Sequence, residues 1–121
     1  MDSILNSVKS YLGILGIIED DDAFDADILM AINAVIFALS QMGVGPSELL
    51  VVEDDTSTWD DLLGADPVGG VREYVNMRVR LLFDPSTNNQ IMDALKEQIA
   101  EFEWRIIAEA DKKEYEEVLS E

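Results

Sequence analysis

The sequence predicts an all-α fold, a small bundle of four to five helices with a long irregular loop in its middle. Three observations predict it. Apolar residues recur at three- and four-residue steps through most of the chain, the spacing of a single helix face. Glycine and proline cluster between those stretches, where helices stop and turns begin. Only Leu49 to Val52 reads as an extended piece. The 121 residues suit one domain, and residues 1–121 carry no internal repeat or linker.

Asp2 or Ser3 caps the first predicted helix, since a side-chain oxygen there can accept an orphan backbone N–H. Ile4, Leu5, Val8, Leu12 and Leu15 form its apolar face, and Gly13 and Gly16 weaken its end. Next comes the acidic segment Glu19, Asp20, Asp21 and Asp22. Asp25 or Asp27 caps the second helix, where a carboxylate also favours the positive end of the macrodipole. Ile28, Ile32, Val35, Leu39 and Met42 mark its main face. Leu29, Met30, Ile36 and Phe37 widen that face nearly all round, leaving Asn33, Ser40 and Gln41 as a polar strip. A helix this apolar is either central in the core or part of a subunit interface. Gly43 and Gly45-Pro46 end it.

Residues 44–69 form the irregular middle, long enough for a loop that serves a function. Within it, Ser57 or Thr58 caps a short helix over Trp59, Asp60, Asp61, Leu62 and Leu63, stopped by Gly64. Pro67 and Gly69-Gly70 make the hinge into a helical hairpin. Val71, Val75, Val79 and Leu82 line its first helix, with Tyr74 and Leu81 at the flanks. The corner is Asp84-Pro85-Ser86, with Ser86 placed to cap the last helix. Ile91, Leu95, Ile99, Phe102 and Ile106 then draw one stripe along that helix. Beyond Ile107 the pattern fades. Residues 109–121 either prolong the helix into solvent or form an acidic tail, mobile until a partner orders it; the mobile tail is the expectation.

The formal net charge is -18, with no Cys and no His. That removes thiolate zinc sites, cysteine nucleophiles, and the commonest general base and metal ligand. A field so negative opposes binding to nucleic-acid phosphates and to anionic membranes. The opening residues lack the basic start of a signal peptide. The longest apolar run, residues 28–42, is broken by Asn33, Ser40 and Gln41 and is too short to cross a bilayer. The acidic clusters fail the calcium-loop pattern: Phe24 replaces a ligand after Asp20 and Asp22. Neither a catalytic pair of acids nor a phosphate loop is legible, so no enzyme activity, cofactor or metal is expected.

The charge is uneven. Residues 1–71 hold one Lys against 14 acids, whereas the other seven cations all come later. Arg72, Arg78 and Arg80 form the one basic cluster, with Arg72 and Arg80 on one helical face. They pair either within the chain or across a subunit boundary, where the planar fork of arginine suits carboxylates. Trp59 and Trp104 are the largest anchors, and Trp104 lies off the main stripe of its helix. Each packs in the core or anchors an interface. The expected subunit contact sets Arg72 and Arg80 against Asp60 and Asp61 of a neighbour, with Trp59 and Trp104 as anchors.

Four blocks then look familiar: DADILMAINAVIFALSQMGVGP (residues 25–46), TWDDLLG (58–64), VREYVNMRVRLLFDP (71–85) and IMDALKEQIAEFEWRI (91–106). In this order and with these gaps they resemble the head–tail connector, or adaptor, proteins of tailed bacteriophages. The resemblance implies an all-helical subunit that assembles as a ring of about a dozen copies beneath the portal. Such a ring extends the DNA channel without binding DNA specifically, and docks a later neck or tail-completion protein. It also implies a place at the head–tail junction of the virion, with the host cytoplasm as the site of assembly, and no catalytic residues. The competing reading is a monomeric or dimeric acidic binding module, such as a DNA mimic.

Overall fold

The computed structural model describes residues 3–18, 22–64, 69–83 and 89–120. Among them the chain forms five helices: α1 (Ile4–Ile14), α2 (Asp25–Gln41), α3 (Trp59–Leu63), α4 (Val71–Phe83) and α5 (Asn89–Ser120). Among the described residues the fold is all-α, as expected. The Glu19–Asp21 acids, Pro67 and the Asp84-Pro85-Ser86 corner lie outside the described residues.

Helix α1 starts at Ser3, whose hydroxyl accepts from the Asn6 N–H at 3.2 Å. Of the predicted face, Ile4, Leu5, Val8 and Leu12 are buried, whereas Leu15 is the C-cap residue and is exposed. The start of α2 differs from expectation. Phe24 is the cap residue and offers no side-chain hydrogen bond; Asp25 and Asp27 fall inside the first turn. Asp25 has another task. Lys9 on α1 reaches Asp22 at 2.8 Å and Asp25 at 2.9 Å, tying the two helices together. The hydrogen bond from Lys9 holds the Asp22 carboxyl below the usual range, and both acids raise the Lys9 ammonium above its own.

The described part of the irregular middle up to Gly64 is pinned rather than loose. Asn33 on α2 accepts from the Val52 N–H at 2.8 Å and donates to the Val52 carbonyl at 2.9 Å. Ile4 N–H donates to the Ser57 carbonyl at 3.0 Å, fastening the start of α1 to the start of α3. Thr58 and Asp61 close a capping box around α3, each side chain accepting the other's backbone N–H.

The central helix is α4. It packs against α1, α2 and α5, so α2 lies at one flank instead of in the middle. Val71, Tyr74, Val75, Met77 and Val79 are buried on it. Tyr74 is thus core rather than flank, and Leu82, expected inside, is exposed. Helix α5 packs on α4 and buries Leu95, Ile99 and Ile106, whereas Ile91 is exposed. Its end prolongs the helix as far as Ser120. The ends of α2 and α5 touch where Gly43 comes against Ala110.

Candidate assembly interface

Arg72 and Trp59 meet within one protomer. Trp59 is buried at the start of α3, and the guanidinium carbon of Arg72 lies 5.2 Å from its ring centroid. That is cation–π distance. Trp59 is therefore a core side chain roofed by Arg72. Asp60 is exposed, and Asp61, also exposed, holds the α3 cap. Arg72 and the two acids thus belong to one patch of one protomer.

Arg78 is used inside the chain. It donates to Glu103 Oε2 on α5 at 3.3 Å, and the Tyr74 hydroxyl donates to the same oxygen at 2.7 Å. The Arg78 guanidinium carbon also sits 5.9 Å from the Tyr74 ring centroid. Burial, and then the hydrogen bond to Glu103, push the Tyr74 phenol above its usual value. Arg80 is half-buried.

Trp104 is 72% exposed, far from core packing. It heads a second stripe on α5. Ala108, Tyr115 and Leu119 come after it at steps of four, seven and four, opposite Leu95, Ile99 and Ile106. Tyr115 and Leu119 are as open as Trp104. Helix α2 has the same two-sided character. Met30, at 73% exposure, and Phe37, at 52%, lie opposite Ile28, Ile32 and Leu39. Ala34, exposed, sits between them, and Leu49 and Val51 point outward from the neighbouring pinned segment. Exposed aromatic and Met groups of this kind mark interaction surfaces.

The family model for "Phage connector protein" matches residues 4–113. The chain belongs to that phage connector family. The match spans all of α1 to α4 and most of α5. No curated protein and no solved structure matches the chain. Among the described residues, no group of acids is placed to hold a metal, and no helix is long and apolar enough to cross a membrane.

The sequence missed both outer stripes as units. Met30 and Phe37 read as part of a helix apolar nearly all round, central in the core or at a subunit interface, and Trp104 as a single anchor off the main stripe. The signal was present: Trp104, Ala108, Tyr115 and Leu119 keep helical spacing on the side away from the main stripe.

Proposed function

We propose that this connector is a structural neck protein of the virion. It assembles as a ring beneath the portal, extends the DNA channel and docks the next neck or tail-completion protein. The observation that carries this reading is the family match over residues 4–113. The family is structural rather than enzymatic. The charge supports it: a ring of -18 subunits lines a conduit that repels DNA and lets it slide. Residues 109–121 gain order when the chain assembles on the portal. Arg80 and Asp60 are polar contacts at the rim between subunits.

The test is assembly with the cognate portal. Negative-stain micrographs and sizing of the mixture should show a ring stacked on the portal, and amide exchange should show new protection in residues 109–121. A chain that stays monomeric on its portal rejects the ring. Strong protection of that segment in the free chain rejects its role as the ordering tail.

A further inference from the structure

We propose that the subunit contact is heterologous, with the outer α2 stripe of one copy seated on the outer α5 stripe of the next. This rests on the ring reading above and names the surfaces that would build it. Both stripes lie opposite buried faces, on two helices that each pack against α4. Each stripe therefore looks away from the core, and the two belong to different helices. Two unlike apolar surfaces are what a head-to-tail contact requires, because every copy must offer one to each neighbour.

Charge selects a second copy as the occupant. A chain of -18 repels its own kind wherever acid faces acid. Residues 28–47, which include Met30, Ala34 and Phe37, contain no charged residue. Across that surface a neighbour approaches without facing like charge. The α5 stripe supplies the complement. Trp104 and Tyr115 give it broad aromatic anchors, and Lys112 borders it opposite the acids Asp27, Glu48 and Glu53 that edge the α2 side, while Arg105 beside it is held by Glu101 of its own helix. Asp111 interrupts the stripe.

The experiment uses Phe37→Asp and Trp104→Asp, both at exposed positions, in analytical ultracentrifugation over a range of protein concentrations. Each variant alone should self-associate roughly tenfold or more weakly than the parent, as loss of an interface anchor predicts. Mixed together, they should form a one-to-one dimer and stop. The Phe37→Asp chain still offers its α5 stripe to the α2 stripe of the Trp104→Asp chain, and the two spoiled faces cannot extend the contact. The chain has no cysteine, so a Phe37→Cys, Trp104→Cys chain gives a second readout. On oxidation it should yield a ladder of linked dimers, trimers and larger species, and either single-cysteine chain should stay unlinked. A parent that assembles while both Asp variants assemble equally well overturns this interface and leaves the ring reading standing. Efficient linking of the Phe37→Cys chain to itself overturns it too, since that marks a two-fold contact. A parent that is monomeric at every concentration, with no ladder from the paired cysteines, overturns both the interface and self-assembly.

Discussion

Asn33 grips Val52 by both backbone groups, its carbonyl taking the N–H at 2.8 Å and its amide reaching the carbonyl at 2.9 Å. One side chain on α2 thereby does the work of a neighbouring strand for the extended segment. Val52 is buried as a result, and the acidic loop beyond it is held at a fixed distance from the helix.

Replacing Asn33 by Leu should strand two covered backbone groups. Each unsatisfied group costs about 1–3 kcal/mol. Thermal or urea unfolding should show a loss of about 2–6 kcal/mol for the two groups together, with α-helical ellipticity little changed in the folded state. Amide exchange of residues 49–54 should rise well above that of α2. Unchanged exchange there would show that the segment is held by its apolar contacts alone.

Gly70 offers a second test, because Gly69 beside it is a built-in control. Gly70 has φ +85°, and an added Cβ would lie 2.9 Å from Phe102 Cδ1 on α5. Gly70→Ala must bear the left-handed backbone, about 1–2 kcal/mol, and must also shift the Phe102 ring. Gly69→Ala meets nothing within 4 Å and should be near neutral. Adding Phe102→Leu to Gly70→Ala should relieve the ring contact but not the backbone term. Equal melting temperatures for the two alanine variants would place the hinge in a different conformation.

The sequence foretold faces better than neighbours. Helical period fixes which residues share a side, so the inner stripes of α1 and α5 were legible from spacing, as were the Ser3 and Thr58 caps. Which helix stands in the centre depends on packing between elements remote in the chain. Hence α2, the most apolar helix, reads from its pattern as central or interfacial, whereas α4 with its arginines holds the central place. Arg78 reconciles the two: its charge is met by Glu103 while its guanidinium lies over the Tyr74 ring. The ties made by Asn33 and Lys9 were not legible, because their partners lie 19, 13 and 16 residues away and no local pattern encodes them. The candidate interface was half legible. Trp104 stood out by its size, and the Trp59–Arg72 pairing needed the fold.

Arg72 and Arg80 should now separate in their effects. Arg72→Glu removes the cation over the Trp59 ring, a contribution of about 0.5–1 kcal/mol, so it should lower stability by that order. Arg80→Glu changes a half-buried side chain and should lower stability by no more than about 1 kcal/mol. If Arg80 contacts an acid of the next subunit, its reversal weakens assembly at low ionic strength, and the defect fades as salt screens the pair. Light scattering at several salt concentrations reads this directly. Assembly of Arg80→Glu that matches the parent at low salt would exclude Arg80 from the rim.

The last prediction concerns pH and the Lys9 clamp. Asp22 is held below the ordinary carboxyl range by Lys9, so its share of stability is present above about pH 4 and lost as pH falls through the lowered value. Lys9 is held above the ordinary lysine range by Asp22 and Asp25, so its share is present below about pH 10 and lost as pH rises through the raised value. Tyr74 also loses stabilisation on the alkaline side, because burial favours its neutral form while the unfolded chain can ionise. That loss is common to the parent and a Lys9→Met chain and cancels in their difference. The stability of the parent relative to Lys9→Met should therefore be flat between about pH 5 and pH 9 and shrink on both sides. Urea unfolding of the two chains across this range measures it. A difference that persists unchanged well into the acid range would mean that the Lys9 stem, packed at 15% exposure, contributes through its methylenes and not through its charge.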